Sequence, residues 1–319
     1  MLKVGILGCG TIAAKVASNL SDVPEIKITA VAAREKARAS AFAKKNCKGA
    51  KAFGSYEELA AYKDVDLIYV TTPNTYHYEH AMLCLKSYKH VLVEKPFTMS
   101  LSEAESLFCE AKNRNLFICE AMWTSFMPLH LKVLEWLREE KIGKVMYLTS
   151  NLGYDIETVP RLTDPTLGGG SYLDLGVYTT NLAISVLGED IYPTSVYARK
   201  ISTEIEKDVL YTLETPDKSS MAMSYVTMSA NTDQDAVIVG EKGFIKLYEI
   251  NNYSRVELYD KNRELVDFMD RDEEGPNGYA YEFLGCADAI EHGRIQSELM
   301  PWHKSAAIAR IGDKIRTMY

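Results

Sequence analysis

The chain has 319 residues, 47% of them apolar and 25% charged, proportions that exclude disordered, collagen-like and coiled-coil chains. That length suits two domains better than one core. A net charge of −8 argues against binding a nucleic-acid backbone, which is normally met by a basic patch or stripe.

The elements follow in chain order. Val4–Leu7 is a continuous apolar run that stops at Gly8, and Thr11–Leu20 has helical spacing. Ile26–Ala33 reads as a strand and Glu35–Lys45 as a helix rich in charge and alanine. Ser55 with Glu58, and Ser100 with Glu103, have the spacing of capping boxes, the second opening a helix to about Asn113. Leu67–Val70, His90–Val93 and Leu116–Glu120 are short apolar strands, with a helix at Tyr76–Leu85. Such alternation predicts a doubly wound parallel sheet with helices on both faces. After a helix at Pro128–Glu140 the pattern changes to strands in succession: Val145–Ser150, Thr194–Ile201, Val209–Leu213, Met221–Thr227, Ala236–Val239 and Phe244–Tyr248. Turn signals between several of them predict a mainly antiparallel sheet. Helices at Leu173–Val186, Tyr279–Glu291 and Pro301–Met318 complete the series, and Asp270–Glu274 reads as a solvated acidic loop. The expected fold class is α/β, with a dinucleotide-binding domain at residues 1–121 and a substrate and dimerisation domain at residues 122–319.

No apolar run approaches the roughly 20 residues of a membrane helix. The opening Met1-Leu2-Lys3-Val4-Gly5-Ile6 runs into a strand pattern rather than a signal peptide. Cys9, Cys47, Cys84, Cys109, Cys119 and Cys286 include no CxxC pair, so reduced thiols in a cytoplasmic protein are expected, with neither a zinc site nor a disulfide framework. No nucleic-acid or membrane partner is expected.

Gly8-Cys9-Gly10-Thr11-Ile12-Ala13 matches the G-x-G-x-x-G/A dinucleotide fingerprint between a strand and a helix. Its first glycine permits the tight turn, its second lets backbone approach a pyrophosphate, and Ala13 permits close packing of helix on strand. The helix N-terminus offers N–H groups and a positive dipole to the anion. After the next strand, Ala32-Ala33-Arg34 puts a cation where NAD-binding proteins carry an acid, and a guanidinium suits the 2′-phosphate of NADP. With Glu35 next in line, NAD is the alternative. Thr71-Thr72-Pro73-Asn74 and Val93-Glu94-Lys95-Pro96 each follow a strand at the carboxyl edge, where such sheets bind ligands. A lysine between an apolar strand and a proline is positioned to polarise a substrate oxygen, or to act as a base if desolvated.

GxGxxA, TPN and EKP, in this order and spacing, resemble the Gfo/Idh/MocA oxidoreductase family over essentially the whole chain. Glu120–Thr124, Gly168–Tyr178, Gly240–Gly243 and the Tyr279–Gly293 helix look like its dimeric dihydrodiol dehydrogenase branch. The resemblance implies a Rossmann domain, a C-terminal α/β domain whose open sheet makes a homodimer, and a substrate cleft between them. It also implies hydride exchange with a secondary alcohol of a sugar, polyol or trans-diol. Carried over by position, Lys95 is the EKP lysine, and Asp174 and Tyr178 fill the D-x-G-x-[H/Y] motif, with Tyr where many members have His. Four residues apart, Asp174 and Tyr178 share a helix face. Removing a hydroxyl proton needs a base within hydrogen-bond reach, and a phenol that titrates near ~10 needs a neighbouring cation. Tyr178 is the expected proton-transfer group, tuned by Lys95 (itself the other candidate base), with Asp174 orienting a hydroxyl. Trp123, Tyr154 and Arg161 are candidate substrate contacts. His77, on the helix with His80, is a cofactor-side candidate and not half of a metal site, since no third ligand is evident. The alternative class is a cofactor-binding regulator or scaffold of the same fold without catalysis.

Overall fold

Short apolar runs punctuated by glycine and capping serines become, in the computed structural model, a first sheet that describes its own ligand edge; all 319 residues are described. In chain order come β1 (Leu2–Leu7), α1 (Thr11–Asn19), β2 (Ile26–Ala32), α2 (Lys36–Asn46), β3 (Lys51–Phe53), α3 (Tyr56–Ala60), β4 (Leu67–Val70), α4 (His77–Lys86), β5 (His90–Glu94), α5 (Leu101–Arg114) and β6 (Ile118–Ala121). The strands are ordered β3-β2-β1-β4-β5-β6, and every pairing is parallel. The order reverses between β1 and β4, the switch point at which a crevice opens beyond the carboxyl ends. Leu7 stands level with Ala32 on one side and Val70 on the other. Gly8, Ala33 and Thr71 therefore begin three loops at one edge, and Lys95 follows on β5. Leu67, Ile68, Tyr69 and Val70 are all buried, as expected of a strand covered on both faces. Leu107 and Ala111 of α5 and Ala81 and Leu85 of α4 close one side of the core. Ser55 Oγ accepts from the Glu58 amide and Ser100 Oγ from the Glu103 amide, at 3.2 and 3.3 Å. In each case the glutamate reaches back to the residue before the cap, Gly54 or Met99.

The middle of the chain supplies α6 (Pro128–Arg138), β7 (Val145–Gly153), α7 (Pro160–Thr163), a π-helical turn at Tyr172–Gly176 running into α8 (Val177–Leu187), and then β8 (Tyr192–Lys200), β9 (Glu206–Glu214), β10 (Met221–Thr227), β11 (Ala236–Gly240), β12 (Gly243–Tyr248), β13 (Arg255–Asp260) and β14 (Leu265–Asp270). These strands form a second sheet, ordered β14-β13-β12-β11-β7-β10-β9-β8. It is antiparallel except for the central pair β7 and β10. Helices α6 and α8 and the π turn cover one face. On the other, Tyr147 pairs with Met221, Thr149 with Met223 and Tyr197 with Leu210. Tyr147, Met221, Met223, Leu210 and Tyr197 are all exposed.

Two closing helices, α9 (Gly278–Glu291) and α10 (Trp302–Arg316), follow. The chain divides into one unit of Met1–Trp123 with Gly275–Ser305 and another of Thr124–Glu274 with Ala306–Tyr319. This differs from the contiguous split at residues 121 and 122, because α9 returns to the first sheet. Phe283 of α9 packs edge-on against Tyr69 of β4, and Trp302 stacks on Phe108 of α5. Three strands, β3, β13 and β14, are additions to the sequence reading. The regular helix expected from Leu173 instead opens with the π turn.

Candidate active site

The edge around Gly8 is built for a dinucleotide. Gly8 has a φ of +111°, and a Cβ there would meet Thr71 Oγ1 at 2.8 Å, so only glycine lets β1 turn this close to β4. Thr71 Oγ1 donates to the Gly8 carbonyl at 3.0 Å. Gly10 differs in kind: a Cβ there would meet nothing within 4 Å. It stands as N-cap of α1 with no side-chain cap, so the amides of Thr11, Ile12 and Ala13 face open space at the positive end of the helix. Ala13 is buried, whereas Thr11 is exposed. Room and uncapped N–H groups together fit a pyrophosphate. Arg34, just past β2, is exposed. Sequence reading missed Arg38, one helical turn further on, which donates from Nη2 to the Cys9 carbonyl at 3.3 Å. Both guanidiniums act on the Tyr56 phenol, opposing the upward push of its burial, so both stand by the same loop. The i, i+4 spacing of two arginines was the available signal.

The turns after β4 and β5 are locked together by one imidazole. His77, expected on the cofactor side, is 1% exposed, and its ring nitrogens lie 2.8 Å from the carbonyl oxygens of Pro96 and Thr72. A neutral ring donates to one of them and an imidazolium to both. Burial holds the ring neutral, pushing its pKa down to about 4. Thr72 Oγ1 also contacts His80 Nδ1 at 2.9 Å, while Pro73 and Asn74 lead into the short 3₁₀ turn before α4. Lys95 is half-buried and joined to Pro96 by a cis peptide bond. Its amide donates to Glu94 Oε2 at 3.1 Å, and the Tyr69 hydroxyl donates to Glu94 Oε1.

Behind this turn lie two acids that the sequence reading did not single out. Glu120, at the end of β6, is 1% exposed. Its Oε1 accepts from the Phe97 amide at 3.2 Å, and its Oε2 has no partner. Burial pushes its pKa up to about 7, against the pull of Ser305, the Phe97 amide and Lys304. Glu282 on α9 is fully buried, with neither oxygen hydrogen-bonded. Burial first, then the Glu94 charge, raises its pKa well above the usual carboxylate range. The only sequence signal was a carboxylate inside an otherwise apolar helical stretch. Trp123 is buried, with its ring stacked on Tyr279 at 4.4 Å between centroids, so this candidate substrate contact has a packing role.

In the second unit the structure gathers three of the predicted residues. Arg161 Nη1 donates to Asp174 Oδ1 at 3.0 Å, the guanidinium half exposed and the carboxylate nearly covered. Tyr154 feels the Asp174 charge, and its hydroxyl accepts from Asn251 at 2.7 Å and donates to Gln234 at 3.0 Å. Asp174 lies in the π turn and Tyr178 in the first turn of α8, both buried. Such π insertions are frequent at functional sites. The glycine run before them is forced. Gly170 has a φ of +115°, and a Cβ there would collide with the Glu206 carboxylate, which accepts from the Tyr172 amide at 3.2 Å. The loop is thereby held against β9 and presents Asp174.

Comparisons with known proteins agree with this geometry. The model of the GFO/IDH/MocA oxidoreductase family, NAD-binding Rossmann fold, matches residues 2–121, and that of the GFO/IDH/MocA C-terminal domain matches residues 130–246. The chain is 32% identical over 321 residues to trans-1,2-dihydrobenzene-1,2-diol dehydrogenase of Xenopus laevis, covering 98% of this chain and 96% of that protein. It is 31% identical to the D-xylose 1-dehydrogenase (NADP(+)) of Hypocrea jecorina, covering 96% and 89%. A crystal structure of a 3-ketoreductase from Actinomadura kijaniata with TDP-benzene and NADP superposes with a TM-score of 0.86 at 25% identity, covering 99% of this chain and 97% of that one. With a fingerprint loop open to a pyrophosphate, a pinned lysine at the same sheet edge and matches to both family domains, this chain belongs to the GFO/IDH/MocA family of NAD(P)-dependent oxidoreductases.

Proposed function

We propose that this enzyme uses NADP to oxidise a secondary alcohol of a sugar, polyol or trans-diol, or to reduce the corresponding carbonyl. The observation that carries the reading is Lys95, fixed on a pinned turn at the same sheet edge as the open Gly10 loop. The relatives named for sugar and diol substrates, and the NADP in the name of one and the crystal of another, support it. Gly8, Gly10 and the amides of Thr11, Ile12 and Ala13 hold the pyrophosphate, and Arg34 and Arg38 take the 2′-phosphate by charge-assisted hydrogen bonds. Thr72, Pro73, Asn74 and Glu94 line the nicotinamide side. Bound nicotinamide supplies the hydride acceptor or donor.

The chain's residues handle the proton. Tyr178 takes it from the substrate hydroxyl in the oxidative direction and returns it in reduction. Lys95 polarises the same oxygen and favours the phenolate. Asp174, fixed at one oxygen by Arg161, orients a second hydroxyl, with Tyr154 close by. We further propose a homodimer through the uncovered face of the second sheet and a cytoplasmic location, in keeping with six unpaired cysteines.

Fluorescence titration with NADPH and with NADH tests the cofactor reading. NADPH should bind more tightly. Arg34→Ala or Arg38→Ala should each weaken it by about tenfold, roughly 1.4 kcal/mol, leaving NADH unaffected. Lys95→Met should keep NADPH binding and lose about 10²–10⁴-fold in turnover of sugars and trans-diols. Absence of any nucleotide binding overturns the reading. Unchanged turnover in Lys95→Met removes the lysine from the chemistry and favours a binding protein.

A further inference from the structure

We propose that Glu120 and Glu282 are positioning residues for Lys95, acting through Glu94 and the Phe97 amide without touching substrate or cofactor. The inference rests on the functional reading above and concerns how its lysine is held. The Lys95-Pro96-Phe97 turn is pinned at three successive backbone groups. The Lys95 amide donates to Glu94, the Pro96 carbonyl meets His77, and the Phe97 amide donates to Glu120. Two of the three pins are therefore carboxyl groups, and both are nearly inaccessible to water.

Three acids in one buried region cannot all be charged, because like charges out of water raise one another's proton affinity. Tyr69 from β4, Glu94 from β5, Cys119 and Glu120 from β6, Tyr279 and Glu282 from α9 and Lys304 from α10 are the titratable groups that act on one another here. Glu94 receives two donors, the Tyr69 hydroxyl and the Lys95 amide, as suits a carboxylate. Glu282 receives none and keeps its proton. Beyond burial, Glu94, which accepts from the Lys95 amide, is the charged neighbour that raises its pKa. Glu120 holds the other end of the turn and is the member that gives up its proton close to neutral pH. Once ionised, it places a negative charge close to Glu94. The turn bearing Lys95 thus rests on a charge distribution that changes in the working pH range.

A placement error of an ångström at reacting groups can cost on the order of 10²-fold in rate. Glu282→Ala should lower kcat by about that factor, with Glu282→Gln recovering most of it, because the amide keeps both shape and neutrality. The kcat profile of the parent enzyme should bend near pH 7, and Glu120→Gln should remove that bend while NADPH affinity stays within about threefold, less than 0.7 kcal/mol. Nuclear magnetic resonance of the parent chain with ¹³C-labelled glutamate carboxyls reads the cluster without any substrate. One carboxyl should titrate near pH 7 and a second should stay protonated beyond it, both well above the free value of about 4.3. If every glutamate ionises near that value, or if well-folded Glu120→Gln shows the parent pH profile, the proposal is wrong. Normal NADPH binding and turnover with such a result would overturn this inference alone; loss of all nucleotide binding in the parent would overturn the functional reading instead.

Discussion

His77 and Glu120 hold their protons in opposite senses, and each ties part of the fold's stability to pH. For His77, with a folded pKa near 4 against 6.5 when free, the unfolded chain binds the proton first as pH falls. Stability is then complete above about 6.5 and is lost on the way down to about 4. For Glu120, raised from 4.5 to about 7, the folded chain keeps its proton longer. Its contribution is complete below about 4.5 and is lost as pH rises through 7. Each amounts to on the order of 3 kcal/mol over its full range, and between about pH 4.5 and 6.5 the two slopes oppose each other. Glu120→Gln should therefore steepen the fall in urea midpoint below pH 6.5, and His77→Gln should expose a decline from acid toward neutral pH. Midpoints that track the parent at every pH would show that both groups titrate as they do in the unfolded chain. The residues of the fingerprint and of the EKP turn were legible because their backbone geometry demands particular residue types: glycine at a φ of +111° in the first, proline after the lysine in the second. Glu120 and Glu282 were not. Their chemistry comes from segments far along the chain that close over them, and no local pattern records that enclosure.

Elements were most legible where side chains alone decide the structure. Ser100 caps α5 with its hydroxyl, and Ser100→Ala should cost about 1 kcal/mol in a urea unfolding experiment. The β3 and β14 strands escaped notice for physical reasons. β3 has three residues, too few to show a period. β14 is an edge strand with Asp267 and Asp270 among its six residues, and charge on an edge is how a sheet discourages further pairing. β13 did carry a strand signal, the alternation of Arg255, Val256, Glu257 and Leu258. The π turn was hidden because its cause is tertiary: Tyr172 hydrogen-bonds Thr180 and packs edge-on to Tyr211. Gly170→Ala should test how firmly that turn is held. A side chain there strains a positive φ and displaces the Glu206 carboxylate, so a loss of about 1–3 kcal/mol should come with reduced kcat. Stability lost with kcat intact would mean the Gly170 loop does not place Asp174.

At the scale of the whole molecule, the second sheet leaves Tyr147, Met221, Met223, Leu210 and Tyr197 exposed on neighbouring strands. Exposed apolar side chains on neighbouring strands are the surface that the proposed homodimer would cover. Sedimentation of the parent chain should give the mass of two subunits, and Met223→Glu with Leu210→Asp should give that of one; a monomeric parent would remove the proposed assembly. The sequence showed the change from alternating to successive strands, hence two folding regions. It did not show that the first region is interrupted, because α9 reads as an ordinary amphipathic helix wherever it docks. That interruption reaches back to the ribosome. The first unit lacks residues 275–305, including Phe283 and Glu282, until residues 124–274 have been made. At about 5–20 residues per second, about 8–30 seconds pass in between. During that interval the groove that α9 will fill stays open to solvent and to chaperones, and the nucleotide loop emerges long before Glu282.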